Sequence, residues 1–299
     1  MSTDKKEKRI LPSRKYSKRS QLGEFWHRYS QNKGAVIALF IVLAIGLLAA
    51  QADVIYDYDT QIIGYNLSQK LIHPCAEHPF GTDELGRDML TRVLYGAKYS
   101  FLIGLSCAAL CFVVGMPIGA LAGYYGGTFD LLVMRIFDII GSIPSLLIGI
   151  MVVAALGHKT GILIIAIAIP GVGSIASASR MAVMTIRSSE YIESARAIGM
   201  KSFPLVMKHV VPNALNLIVV RVTLQVGSAI ISASSLSYLG LGVPLPTPEW
   251  GALLSGGRKL IRTHSYLTLF PGLAIMITVL ALNLMGDGLR DALDPKLKK

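Results

Sequence analysis

The sequence predicts an all-α membrane protein with about six transmembrane helices and both termini on the cytoplasmic side. Three observations predict it. Apolar residues make up 53% of the 299 positions and Gly adds 29 more, while charged residues are only 16%, against about 25% in a typical soluble domain. Apolar runs recur near the ~20-residue length that crosses about 30 Å of hydrocarbon. Basic residues collect in particular connecting segments, as they do where charge sets orientation. The same composition leaves too little charge to coat a soluble domain of this size and excludes disorder. With three Cys in the chain, a disulfide scaffold is excluded too. A net charge of +11 on a soluble chain would suggest nucleic acid. Here its distribution reads as topology, and no nucleic-acid partner is expected.

The elements follow in order. Lys5, Lys6, Lys8, Arg9, Arg14, Lys15, Lys18, Arg19, Arg28 and Lys33 precede the first apolar run, which makes residues 1–33 a basic cytoplasmic tail. The first helix is expected over 34–52. Ala50-Gln51-Ala52 resembles a signal-peptidase site, but a long basic region precedes it and further spans follow, so the helix is expected to remain uncleaved. The loop 53–98 reverses sign, with Asp53, Asp57, Asp59, Glu77, Asp83, Glu84 and Asp88 against Lys70, Arg87, Arg92 and Lys98, and is placed outside. A unit of five helices is expected over 99–286, with spans at 99–123, 131–156, 161–183, 214–236 and 267–285. Between the fourth and fifth spans, Arg180, Arg187, Arg196, Lys201 and Lys208 outnumber Glu190 and Glu193, so the loop 185–212 is cytoplasmic. The outer loop is 237–266. The tail 287–299 ends in Lys296, Lys298 and Lys299, again cytoplasmic.

Few charges enter the spans. Arg135 and Asp138 stand three apart on one helix and can pair. Arg221 lies one or two turns from the cytoplasmic end of its span, where a long side chain can snorkel. Both the lining of a solute path and helix pairing remain open for these three. No carboxylate sits deep in the bilayer as a proton-coupled transporter would want. Small residues cluster from Gly171 to Ser179 and from Gly227 to Ser235, suited to close helix packing. Pro117, Pro144 and Pro170 are expected to kink three spans.

The loop 185–212 has a pattern of its own. Ile192, Ala195 and Ile198 fall near one face of a short helix. Gly199 suits its C-cap, Ser202 can cap a second helix, and Pro204 is tolerated in that helix's first turn. Leu205, Val206 and Val210 give the second helix an apolar stripe, and Pro212 is expected to end it. The result is a helix-turn-helix on the inner face, suited to a groove in another protein.

These residues carry a resemblance. Glu193-Ser194-Ala195, then Gly199 and Pro212, resembles the EAA loop of ABC importer permeases, with Ser194 where that family usually has Ala. His78-Pro79-Phe80-Gly81-Thr82-Asp83-Glu84-Leu85-Gly86-Arg87-Asp88 resembles the segment before the second span in the dipeptide, oligopeptide and nickel branch. Leu236 to Gly242, Pro246-Thr247-Pro248-Glu249-Trp250-Gly251, and the ending from Asn283 to Pro295 are similar to the same branch. Trp26, Asn32 and Lys33 before a single span resemble the C-type partner of two permeases. The likeness covers the chain from about Leu22.

The resemblance implies a type I importer permease fold in a prokaryotic plasma (inner) membrane. It implies a second homologous permease subunit, two ABC ATPase subunits, an extracytoplasmic binding protein and surrounding lipid as partners. It makes Glu193, Ser194, Ala195, Gly199 and Pro212 the ATPase coupling residues. Asp83, Asp88 and Trp250 become candidate outer contacts. Di- or oligopeptides are the implied cargo, with nickel or a metal chelate as the alternative. A channel or secondary transporter working without an ATPase is the rival from another class. The chain itself is expected to be no enzyme and to bind no cofactor, with ATP and Mg on the partner subunits.

Two further motifs are set aside. Leu254-Ser255-Gly256-Gly257-Arg258 reads like an ATPase signature, but the chain has no G-x-x-x-x-G-K-[ST] loop to cradle phosphates. His73, Cys75, Glu77 and His78 cluster in the outer loop and are read as loop composition, with no metal site expected. Cys107 and Cys111 lie i,i+4 in a span and act as small apolar residues.

Overall fold

A computed structural model describes residues 21–293. The basic residues from Lys5 to Arg19 and the terminal Lys296, Lys298 and Lys299 lie outside the described residues. Five helices are long and apolar enough to cross a membrane, and a bent helix pair makes up to six spans. Among the described residues the only β pairing is an isolated antiparallel bridge between Thr82 and Asp88.

Helix α1 (Gln21–Gln31) leads into α2 (Lys33–Ile55), whose cap Asn32 accepts a hydrogen bond from the Ala35 N–H at 3.1 Å. Helix α3 (Met89–Tyr125) has 37 residues, about 55 Å at 1.5 Å per residue. It therefore extends beyond the hydrocarbon, and ten residues of it precede the expected start at Tyr99.

The span expected over 131–156 is two helices, α4 (Gly127–Gly141) and α5 (Ser145–Leu156), bent by 84°. Pro144 has no N–H to donate and disfavours helix at Ile143. The Ser142 hydroxyl turns back to the Ile139 carbonyl at 2.7 Å, stopping α4 just before the break. Pro117 and Pro170, by contrast, sit inside the unbroken helices α3 and α6 (Thr160–Arg187).

Two short helices follow, α7 (Glu190–Ala197) and α8 (Ser202–Leu205), the latter continuous through a π-helical turn at Val206–Val210 with α9 (Val211–Tyr238). The break expected at Pro212 is absent, because Ser202–Tyr238 is one continuous helix. The wide turn carries the register past the proline: the Val211 N–H reaches back five residues to the Val206 carbonyl. The Asn213 side-chain amide then donates to the His209 carbonyl at 2.7 Å. Helix α10 (Trp250–Gly257) and helix α11 (Tyr266–Leu293) complete the chain. Helix α11 runs on past Met285, where the last span was expected to end.

The central packing is α3 along α6. Gly115, Gly119 and Gly123 on α3 face the carbonyls of Val172, Ala176 and Arg180 on α6, so closely that any Cβ on the glycines would collide with them. Lipid supplies no hydrophobic drive between helices, and small residues allow the close contact that replaces it. Among the described residues, the three largest of five apolar clusters are distributed along the bundle. One joins Met89, Trp250 and Tyr266 at the end away from α7. A second holds Ile103, Ile175 and Ala233, and the third joins Tyr124, Ile192 and Val210 at the end where α7 sits.

Candidate functional site

The loop between α6 and α9 folds into a compact helical knob. Glu190 and Glu193 occupy the first turn of α7, where carboxylates favour the positive end of the helix dipole. Ile192 is fully buried and anchors α7 on Leu205, Val206 and Val210. The helix stops at Gly199, which has φ +84°. Its N–H donates to the Arg196 carbonyl at 2.9 Å and the Met200 N–H to the Ala195 carbonyl at 3.1 Å. This paired arrangement is a Schellman motif, and it needs a residue free to take positive φ. A hydrogen bond of 3.3 Å from Asn213 Nδ2 to the Tyr191 hydroxyl ties α7 to the start of α9.

Two expectations for this knob are corrected. Ser202 is the first residue of α8 rather than its cap; Lys201 takes the cap position, with no side-chain hydrogen bond. Ile198 does not join the buried face of Ile192 and Ala195. The helix ends at Ala197, and Ile198 swings out to 82% exposure. Phe203 at 72% and Met207 at 51% are exposed in the same loop. Glu193 and Ser194 are exposed as well, Ala195 is half-buried, and Pro212 lies exposed at the start of α9. The knob thus presents apolar side chains beside a carboxylate outside the long apolar runs.

The segments expected to lie outside pack against the bundle itself. Asp83 accepts from Arg87 Nε and Arg92 Nη1, both at 2.7 Å, and from the N–H groups of Leu85 and Arg87. Asp88 caps α3 by accepting from the Thr91 N–H at 2.8 Å, and lies 2.8 Å from His78 Nδ1. Phe80 stacks on Phe270 at 3.8 Å, and the Tyr266 hydroxyl donates to the Thr82 carbonyl at 2.9 Å. Trp250, a candidate outer contact, is only 2% exposed and donates its indole N–H to the Val93 carbonyl at 2.8 Å. Its ring is spent inside this chain and cannot meet a partner. Beside it, the fully buried Glu249 caps α10 by accepting from the Gly251 and Ala252 N–H groups. Leu254 to Gly257, the signature-like stretch, forms the end of α10. Among the described residues, no three His, Cys, Asp or Glu side chains are grouped to hold a metal.

Within the spans, Arg135 and Asp138 pair at 3.9 Å with side chains 69% and 68% exposed. Arg221 is exposed on α9. The structure also joins Asp130 of α4 to Arg180 of α6 in a two-point ion pair that the sequence reading missed. Nothing in the spacing of two residues fifty apart signals such a pair. The glycine stripe at 115, 119 and 123 was also missed, although its four-residue spacing was visible. Beside the α4–α5 break, α5 and α9 contribute to two adjoining open clefts of about 380 and 220 Å³ that share Leu146, Ile231 and Ser235; α10 and α11 complete the first and α6 the second.

Comparison with known proteins adds to this geometry. Residues 115–299 match the family described as binding-protein-dependent transport system inner membrane component, and residues 20–74 match the N-terminal TM domain of oligopeptide transport permease C. A dipeptide transport system permease protein of Alkalihalophilus pseudofirmus is 41% identical over 287 residues, covering 96% of this chain and 94% of that one. A di/tripeptide transport system permease protein of Pseudomonas aeruginosa is 42% identical, covering 93% of each chain. A glutathione transport system permease protein of Escherichia coli O157:H7 is 41% identical, covering 92% of this chain and 90% of that one. Among solved structures, an inward-facing methionine ABC transporter aligns with a TM-score of 0.58 at 20% identity, covering 69% of this chain and 98% of that one. That likeness shows the fold.

Proposed function

The chain belongs to the binding-protein-dependent transport system inner membrane components, the multi-pass inner-membrane permeases of ABC importers, and on that premise we propose that it passes di- or oligopeptides inward under the drive of ATPase subunits docked on α7. The exposed α7 knob is the observation that carries the reading. Glu193 makes the charged contact, and Ile198, Phe203 and Met207 fill an apolar cleft. Ser194 and Ala195 let the helix seat closely, Gly199 supplies the turn after it, and Pro212 lies at the entry into α9. The relatives named for dipeptides, di/tripeptides and glutathione support a peptide cargo over nickel.

In this reading the loop 185–212 couples to the transmembrane unit 99–286, with both termini in the cytosol. A second homologous permease completes the path, two ATPase subunits bind ATP with Mg, and an extracytoplasmic binding protein delivers cargo. ATP binding closes the ATPase pair, which pulls on Glu193 to Gly199, and the spans exchange inward-open for outward-open states. Such a two-state element needs a bias of only about 5 kcal/mol to swing almost fully. Arg135, Asp138 and Arg221 line the water-filled path or its seam with the second permease. A charge at the centre of a helix facing lipid would cost about 3 kcal/mol, and these side chains are left uncovered by the rest of the chain. Asp83 and Asp88 act outside by holding the outer loop in the shape that a partner meets.

Glu193→Lys tests the reading. ATPase subunits should fail to co-purify with the variant, and uptake of labelled dialanine into vesicles should stop. Retained association with unchanged uptake would eliminate coupling through α7.

A further inference from the structure

We propose that Tyr124, at the cytoplasmic-loop end of α3, is the positioning residue that passes movement of α7 to the hinge between α3 and α4. The inference rests on the coupling role given to α7 above. Tyr124 is 5% exposed and belongs to the same apolar cluster as Ile192 of α7 and Leu205, Val206 and Val210 of the following turns. Two cations address its ring. The Arg196 guanidinium, carried by α7, lies 5.2 Å from the ring centroid. The Arg187 guanidinium, at the end of α6, lies 5.9 Å from it. Two like charges gathered on one ring are held there by its negative face. The Tyr125 ring stands edge-on to the same ring at 5.3 Å.

The hinge begins two residues further on. Gly126 and Gly127 both take positive φ, +68° and +63°, and reverse the chain from α3 into α4. A Cβ built on Gly126 would lie 3.3 Å from Arg187 Nη1, so the guanidinium that faces Tyr124 also lies against this turn. Beyond it, Asp130 fixes α4 to Arg180 of α6, and α4 ends at the 84° break beside the two open clefts. The contacts form one chain: α7, the Tyr124 ring, the glycine turn, α4 and the break. Phe203 and Ile198 are the outward side of this knob and Tyr124 is its inward side. A displacement of α7 must either carry the end of α3 with it or strip Arg196 from the ring.

The test uses the complete importer reconstituted in vesicles with its ATPase subunits and binding protein, and reads ATP hydrolysed per dialanine imported. Tyr124→Leu should keep the ATPase subunits attached and raise that ratio about fivefold, while Tyr124→Phe, which keeps the ring face, should keep the wild-type ratio. A wild-type ratio in Tyr124→Leu would overturn the proposal, and so would uncoupling by Tyr124→Phe equal to that of Tyr124→Leu. Should Tyr124→Leu fail to assemble, Arg196→Gln leaves the buried ring in place and carries the same test: a raised ratio supports the proposal and an unchanged one overturns it. Failure of the coupling reading itself would show differently, as attached ATPase subunits and normal uptake in Glu193→Lys.

Discussion

Gly119→Ala is expected to destabilise the protein even though alanine is the better helix former. In an unopposed helix interior the exchange gains about 1 kcal/mol. At position 119 the new Cβ falls on the backbone of Ala176 in α6, 2.7 Å from its carbonyl carbon and 2.8 Å from its Cα, and closer still to its carbonyl oxygen. A backbone cannot rotate aside as a long side chain can, so the two helices must separate. Gly115 and Gly123 hold the same pair closely too, with built Cβ atoms 2.6 Å from the carbonyl oxygens of Val172 and Arg180. A gap opened at 119 therefore opens along the whole seam. A radial gap of about 1 Å forfeits up to half of each dispersion contact, and overpacking costs typically about 1–3 kcal/mol. Setting about 1 kcal/mol of propensity against it leaves about 0–2 kcal/mol, and because the clash is with backbone the loss should be about 2 kcal/mol for alanine and larger for leucine. Gly46→Ala in α2 is the control, since no atom lies within 4 Å of its built Cβ; it should be neutral or stabilising. Unfolding in mixed detergent–SDS micelles measures both. Equal midpoints for Gly119→Ala and Gly46→Ala would refute close backbone packing as what holds α3 to α6.

Three further outcomes follow from the same structure. Asp83→Asn should cost about 3–5 kcal/mol, because Arg92, 2% exposed, loses the carboxylate that pairs with it; replacing Arg92 by Met as well should recover part of the loss in the same unfolding titration. Glu249→Ala removes the cap of α10 and leaves buried N–H groups of Gly251 and Ala252 unpaired, at about 2 kcal/mol, and should lower the thermal midpoint and expose the Trp250 indole to aqueous quenchers. Gly199→Ala forces a Cβ into positive φ at a cost of about 1–2 kcal/mol, so α7 should lose its fixed end and ATPase subunits should bind the purified permease more weakly, as read by co-purification. Wild-type affinity in that variant would show that the turn after α7 is not needed to present it.

Much of the architecture was legible because membrane insertion depends on quantities that sequence displays directly. Length and hydropathy of a run decide whether it can span, and the starts of α2, α6 and α11 fall within a residue of the expected ones. The motif around Glu193 was legible because helix ends have local chemistry: Gly199 caps α7 through its own freedom to take positive φ. Proline was less informative. Pro144 breaks its span while Pro117, Pro170 and Pro212 are absorbed in continuous helices, and the difference lies in whether the neighbouring backbone can redirect its hydrogen bonds, as the wide turn before Pro212 does.

By itself, then, the sequence determined which segments can enter a membrane, where the helical knob between α6 and α9 lies along the chain and how its first helix ends, since each depends on local hydropathy or one residue's allowed backbone angles. Tertiary structure alone decided which polar groups face one another. Asp130 meets Arg180, Asp83 meets Arg92 and Trp250 is buried against Val93 because packed helices bring distant positions within a few ångströms. No period along the chain encodes those meetings.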